Sequence, residues 1–159
     1  MPTIPSSFTF HGGIHPDYHK ELAAGSPIRE LPLPARLVVP LSQHLGASAK
    51  PVVQTGSTVI GGQLLAEADG LISAPVHAPA AGKVVALEPT LTATGRACDA
   101  IVIETASEQT WESLPPLPEW RTADPKSLIE RIGVAGVVGM GGAGFPTRVK
   151  LSPPRDKPI

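Results

Sequence analysis

GSTVIGGQLLA, residues Gly56–Ala66, and APVHAPAAGKVV, residues Ala74–Val85, are the two stretches that decide the fold of this chain. In each stretch the glycines permit tight chain reversals, while the valines and leucines between them are suited to point into a small core. Short runs of this kind, bounded by Gly and Pro, are typical of a small β-sandwich or barrel. We therefore expect a β domain built around these two stretches.

The same pattern of short β-type runs extends over residues 35–105, with turn residues such as Gly61-Gly62 and Asp69-Gly70 between the runs. Their β-branched content favours strands over helices, so a mostly β domain is expected over this whole range. The sequence predicts strands at Arg36–Val39, Pro51–Gln54, Thr58–Ile60, Gln63–Ala66, Leu71–Ser73, Lys83–Leu87 and Ala100–Glu104.

Composition narrows the functional classes. The chain has 159 residues and a formal net charge of −1. It therefore lacks the excess of basic residues that would predict a nucleic-acid partner. Hydrophobic residues make up 42% of the chain, which is too many for a disordered protein. The single cysteine, Cys98, excludes both an internal disulfide and an iron–sulfur cluster ligated by this chain alone. Charged residues or prolines interrupt every apolar run, so neither a signal peptide nor a membrane span is predicted.

Residues 1–34 are predicted to form an irregular N-terminal segment. Within it, His11, His15 and His19 recur at four-residue spacing, which on a helix would align three imidazoles for a metal ion. The two glycines and the proline that lie among them disfavour such a helix. A structured loop is the favoured interpretation, and no metal site is predicted.

Residues 106–123 are predicted to be a Pro-rich linker, because three prolines stiffen this stretch towards polyproline II. Trp111 and Trp120 are expected to hold the linker against a neighbouring surface. A helix over residues 125–132 should follow, with Asp124 as its N-cap. Its end is expected at the glycine that comes next, Gly133, a residue type favoured just after a helix C-terminus.

A glycine-rich stretch, GVAGVVGMGGAGFPTRVK at residues 133–150, follows that helix. A backbone this rich in glycine can curl around a ligand and turn its N–H groups inward, an arrangement that binds phosphate above all. Lys150 is near enough in sequence to add a positive charge. The stretch lacks the Gly-Lys-Ser/Thr of a P-loop, and Phe145-Pro146 stands where a dinucleotide fingerprint needs a helix. Spacing alone leaves two alternatives open, a phosphate-binding loop and a glycine-rich turn packed against a partner strand.

The β stretches resemble the barrel-sandwich hybrid fold of lipoyl and biotinyl domains, in which a G-x-x-V-x-x-G-x-x-L element precedes a P-x-x-G-x-V element. Those domains present a modifiable lysine at the tip of an exposed hairpin. The corresponding residues, Ser73–Gly82, contain no lysine, and Lys83 is expected at the start of a strand. The resemblance therefore implies a scaffold rather than a carrier of a prosthetic group.

The segment Gly139–Lys150 is similar to the signature GxGGAGFPTxxK of the flavin- and NADH-binding subunit of respiratory complex I. Three stretches, the loop Phe10–Pro16, the turn Ser73–Ala78 and the run Ile132–Thr147, together make the chain resemble the C subunit of the Rnf (Rsx) ion-translocating electron transport complex. The resemblance implies a mostly β barrel-sandwich hybrid at residues 35–105. The first helix and glycine-rich loop of a truncated α/β domain that binds FMN and NADH would follow at residues 124–159.

The same resemblance implies a partial FMN site, with NADH as substrate and 4Fe–4S clusters only in the missing C-terminal part. Met140 occupies a position where complex I relatives usually have Arg, which removes one possible charge contact. Lys150 would meet the phosphate or ring oxygens of the flavin. The residues expected close to FMN are Gly139, Gly141, Gly142, Ala143 and Gly144.

The function implied is that of the N-terminal part of a flavoprotein subunit in a membrane-associated electron-transfer complex that translocates ions. Its expected partners are NADH and the other subunits, and its expected location is peripheral, on the cytoplasmic face of the cell membrane. The alternative is a non-catalytic barrel-sandwich interaction module that binds no cofactor on its own. No catalytic residue is assigned, because Cys98 and His77 have no paired base or nucleophile at meaningful spacing.

Overall fold

Two units make up the chain in the computed structural model, Met1–Pro32 and Leu33–Ile159. The structure describes residues 17–92 and 95–154. In the described part of the first unit, one helix, α1, spans Glu21–Ala24, and all its residues are exposed. The segment that was predicted to be irregular thus contains a single helical turn.

Seven strands in the described part of the second unit form two antiparallel sheets. They are β1 (Arg36–Pro40), β2 (Lys50–Pro51), β3 (Thr58–Val59), β4 (Leu64–Glu67), β5 (Val76–His77), β6 (Gly82–Leu91) and β7 (Ala97–Thr105). The larger sheet has the order β1-β7-β6-β3, and the smaller sheet has the order β2-β4-β5. The mostly β fold that the glycine and valine pattern predicts is confirmed.

The core lies between the two sheets and is centred on β7. Ile101 and Ile103 of β7 alternate along the strand, so both side chains point to the same face, where each is fully buried. Leu65 of β4 meets them from the smaller sheet and is equally buried. Burying one such side chain contributes about 1.5–3 kcal/mol. The remaining members of this cluster are Val39, Leu41, Ala49, Val59, Ala66, Val76, Ala78 and Val84.

The outer face of β7 is shielded as well. Val102 points away from the core, aligned with Val38 of β1 and Ala86 of β6, and is nevertheless fully buried. Arg36 of β1 and Glu88 of β6 flank it and form a salt bridge of 2.7 Å across β7. Long charged side chains cover apolar surface with their stems while their charged ends stay in water. Because both ends are about half exposed, the pair stabilises the strand mainly through this cover.

The prediction of a strand at Leu71–Ser73 is wrong. Ser73 is fully buried, and its hydroxyl donates to the Ala47 carbonyl at 2.9 Å and accepts the Asp69 N–H at 3.0 Å. These bonds hold this segment in a bend rather than a strand, because the hydroxyl satisfies backbone groups of Asp69 and Ala47 in place of a neighbouring strand. The strand begins three residues later, as β5, and pairs with β4.

The predicted linker is attached to the barrel at two points. The side chain of Gln109 accepts the Ala81 N–H at 2.8 Å and donates to the Ala81 carbonyl at 3.2 Å, as a neighbouring strand would. Trp111 pairs with Gly61 in a parallel bridge, and its indole lies against that glycine so closely that a Cβ there would be 2.5 Å from the ring. Trp111 therefore holds the linker as expected. Trp120 instead stacks with Arg121, at 4.3 Å from the guanidinium carbon.

The predicted helix is present as α2, Pro125–Val134, and a short helix, α3, spans Thr147–Lys150. The Asp124 carboxylate caps α2 by accepting the backbone N–H groups of Lys126 and Ser127, as predicted. The expected end at Gly133 is wrong, because Gly133 lies inside α2. A Cβ at Gly133 would be 2.8 Å from the Cδ of Arg148, so glycine there admits the side chain of α3.

Candidate functional site

The glycine-rich loop is a closed hairpin. Val138 and Pro146 form an antiparallel bridge at its base, and the Gly139 N–H donates to the Phe145 carbonyl at 3.0 Å. Between these points residues 140–143 form the turn at the tip of the hairpin. A Cβ built on Gly141 or Gly142 would meet no atom within 4 Å, so the tip of the loop is open.

The base of the loop rests on the connection between β1 and β2. Gly144 has a φ of 65°, and a Cβ there would be 2.9 Å from the Gln43 carbonyl oxygen and 3.1 Å from the Cα of His44. The Gly144 carbonyl accepts the Leu45 N–H at 3.4 Å. Glycine is required here for both the left-handed conformation and the close approach. The loop is thereby fixed to the barrel.

His44 holds the part of the β1–β2 connection that contacts Gly144. It is buried at 9% exposure, and its Nε2 accepts the Ala74 N–H at 3.1 Å. Because Nε2 accepts, the ring proton lies on Nδ1, which can donate to the Leu45 carbonyl at 3.2 Å. One imidazole thus ties the β1–β2 connection, on which Gly144 rests, to Ala74, the first residue of the second fold-determining stretch.

Lys150 lies beside the neck of the loop. Its Nζ would be 3.2 Å from a Cβ at Gly139 and is 5.9 Å from the centre of the Phe145 ring. The residue itself is exposed. The predicted cation is therefore next to the loop. Its charge and the N–H groups of the hairpin together make this region electropositive.

A cavity of about 700 Å³ lies between the loop and the barrel. Four of the predicted site residues line it, whereas Gly141 and Lys150 stand outside its lining. The opposite wall comes from the β1–β2 connection and from the end of the β6–β7 hairpin, including Thr92 and Arg96. Sequence reasoning missed this wall, and an arginine beside a glycine at a hairpin turn was its only signal. The four predicted residues in the lining are Gly139, Gly142, Ala143 and Gly144.

A second cavity, of about 890 Å³, separates the smaller sheet from α2 and α3. His77 lines it beside Gly136, which has a φ of 69° and no room for a side chain. Burial lowers the pKa of His77, and the charge of Glu112 opposes that shift. Arg148 reaches across the cavity from α3 to donate to the Gly70 carbonyl at 3.1 Å. Its Nε is buried with no partner among the described residues.

The remaining candidates are the histidines near the N-terminus and Lys83. Among the described residues no three His, Cys, Asp or Glu side chains gather to hold a metal ion. His19 lies 3.5 Å from Glu21 in the first unit, while His11 and His15 fall outside the described residues, as does the loop Phe10–Pro16. Lys83 is the second residue of β6, at the strand start that was predicted for it. None of the helices in residues 17–92 and 95–154 is both long and apolar enough to cross a bilayer.

Comparison with known proteins identifies related sequences. A family model described as the RnfC barrel sandwich hybrid domain matches residues 8–108. The chain is 42% identical over 152 residues to the C subunit of the proton-translocating ferredoxin:NAD(+) oxidoreductase complex of Clostridium ljungdahlii, which covers 95% of this chain and 33% of that protein. It is 45% identical over 145 residues to the C subunit of the ion-translocating oxidoreductase complex of Pseudomonas aeruginosa, covering 90% of this chain and 19% of that protein.

A third relative, the C subunit of the Na(+)-translocating ferredoxin:NAD(+) oxidoreductase complex of Acetobacterium woodii, is 41% identical over 152 residues, covering 95% of this chain and 34% of that protein. The chain thus spans about a third or less of the length of these relatives. The matches confirm both the barrel-sandwich hybrid fold and the resemblance to the N-terminal portion of such proteins.

Proposed function

Because this chain belongs to the RnfC barrel sandwich hybrid family, we propose that it is the N-terminal part of a membrane-associated electron-transfer subunit. In this proposal the whole subunit passes electrons between NADH and iron–sulfur centres through FMN, and the complex couples that transfer to ion translocation. The relatives are named as subunits of ferredoxin:NAD(+) oxidoreductase complexes, which supports this class of reaction.

The glycine-rich loop is the observation that carries the proposal. Its tip residues Gly141 and Gly142 have open space where side chains would stand, and the adjoining cavity of about 700 Å³ has the size of a small-molecule site. Backbone N–H groups in a tight glycine turn attract anions, and Lys150 adds a full positive charge near the neck. The residues present therefore suit a phosphorylated flavin.

Each residue has a distinct part in the proposed site. Gly139, Gly142, Ala143 and Gly144 shape one wall, along which a planar ring or a phosphate can approach the backbone. Lys150 supplies charge that would attract the phosphate and stabilise negative charge on a nearby ring. The flavin, when bound, would supply the hydride and single-electron chemistry, while the protein binds and orients it.

The partners follow from the same proposal. The other subunits of a membrane complex would dock on this protein at the cytoplasmic face, and NADH would reach the flavin from solvent. The 4Fe–4S clusters would belong to polypeptide outside this chain, since the one cysteine here, Cys98, cannot ligate a cluster alone.

The test uses the complete subunit in its complex and the substitution Lys150→Ala. A hydrogen bond to a charged group contributes about 1.5–3 kcal/mol, so we expect FMN to bind roughly tenfold to a hundredfold more weakly. The matched control is Lys126→Ala, which removes the same charge from α2, on the other cavity. Equal FMN content and equal flavin midpoint potential in both variants would contradict the assigned role of Lys150.

A non-catalytic interaction module is the second candidate, and the openness of the loop favours it. Met140 at the tip is 98% exposed, so the tip of the loop is open to solvent. We therefore expect the chain of 159 residues to purify without the flavin absorbance near about 450 nm. Stoichiometric FMN in that preparation would overturn the module interpretation.

A further inference from the structure

The barrel contributes a charged group to the cavity that faces the glycine-rich loop. Arg96 lies at the end of the β6–β7 hairpin, where its N–H donates to the Thr92 hydroxyl at 3.2 Å and its carbonyl accepts the Thr92 N–H at 2.8 Å. These bonds hold the backbone of Arg96 at the rim of the cavity. Its side chain is exposed and lines the cavity opposite the hairpin of Gly139 and Gly144.

The electrostatics of this cavity favour an anion. Arg96 is the only Lys, Arg, Asp or Glu among the described lining residues, so no carboxylate in the lining opposes its charge. Among the described residues its guanidinium forms no ion pair, in contrast to Arg36, which is bound to Glu88 at 2.7 Å. With Lys150 at the neck of the loop, two cations flank the same hairpin.

We infer that Arg96 binds the phosphate of the mononucleotide that the glycine-rich loop holds, so that the barrel forms part of the binding site. This inference rests on the proposed function and adds a residue to it. The guanidinium can donate two parallel hydrogen bonds to one phosphate, while the N–H groups of the loop approach from the other wall. The ligand class is therefore a phosphate monoester, and the phosphate rather than the ring determines its selection by the barrel.

The experiment compares FMN with riboflavin, which has the same ring and no phosphate, in the flavin-depleted complete subunit. Arg96→Gln removes the charge, Arg96→Lys keeps it, and Arg121→Gln is a charge-matched control in the linker, where the arginine stacks on Trp120. We expect Arg96→Gln to raise the Kd for FMN about tenfold to a hundredfold and to leave the Kd for riboflavin unchanged. Arg96→Lys should restore part of the affinity, and Arg121→Gln should match the wild type.

The outcomes separate this inference from the proposed function. A wild-type protein that binds no FMN would refute the proposed function itself. If the wild type binds FMN and Arg96→Gln binds it equally well, the phosphate role of Arg96 is wrong. Equal losses for FMN and riboflavin would also refute it, because a structural defect at the hairpin does not distinguish the two ligands.

Discussion

Substituting Gly144 by Ala should detach the glycine-rich loop from the barrel. A left-handed backbone costs an alanine about 1–2 kcal/mol, and Gly144 has a φ of 65°. The new Cβ would also stand 2.9 Å from the carbonyl oxygen of Gln43, a backbone atom that cannot rotate away. The loss of conformational freedom in the unfolded chain offsets part of this, by about 0.4–1 kcal/mol. We expect a net local destabilisation of about 1–3 kcal/mol.

Amide hydrogen exchange measures this local opening directly. The Leu45 N–H is bonded to the Gly144 carbonyl, so this amide reports on whether the loop is attached to the barrel. The Gly139 N–H is bonded to the Phe145 carbonyl and reports on whether the hairpin itself stays closed. A change of 1.4 kcal/mol corresponds to about tenfold in the opening equilibrium, so Gly144→Ala should speed exchange at Leu45 by about tenfold to a hundredfold.

Gly142→Ala is the matched control. It adds the same methyl group two residues away, where no atom lies within 4 Å and φ is not left-handed. Its exchange rate at Leu45 should stay within about twofold of the wild type, as for other unstrained surface changes. If both variants exchange equally fast at Leu45, the contact of Gly144 with Gln43 and His44 does not hold the loop on the barrel.

Three further predictions concern the barrel, the helix and pH. Leu65→Ala should lower the free energy of unfolding by about 2–5 kcal/mol in urea titrations, clearly more than Leu64→Ala, because Leu65 is fully buried and Leu64 is 38% exposed. Asp124→Ala should speed amide exchange in the first turn of α2, above all at Ser127, whereas Asp124→Asn keeps one acceptor and should have a smaller effect. Burial lowers the folded-state pKa of His77. The contribution of His77 to the free energy of unfolding is therefore complete above pH 6.5 and is lost as the pH falls through the folded pKa. His77→Gln should flatten this part of a plot of urea midpoint against pH.

The sequence predicts the barrel well because its strands depend on local features. Gly62 has a φ of 84° and marks a turn, and Val59 and Leu65 on either side are both buried. Asp124 likewise caps the helix that follows it, because a cap involves only residues two and three positions away. Such features are present in a short window of sequence.

The parts that the sequence does not predict depend on distant contacts. Local sequence predicts a strand at Ser73, but its hydroxyl donates to the Ala47 carbonyl, 26 positions away, and the segment bends. Local sequence likewise predicts a helix end at Gly133, but the helix continues through it and the side chain of Arg148 packs on it. Arg96 has no motif of its own, and only the fold brings its hairpin to the wall that faces the glycine-rich loop.

Spacing alone left the glycine-rich stretch either a binding loop or a packed turn, and the structure divides these roles between its residues. Three glycines are required by packing, because a Cβ there would come within 3 Å of another residue. They are Gly133 against Arg148, Gly136 against Pro75 and Gly144 against Gln43. Gly141 and Gly142 face open space, and the fold gives no reason for glycine there. The proposed ligand would supply such a reason, because it would approach the backbone of the tip. Side chains added at those two positions should then weaken FMN binding without weakening the fold.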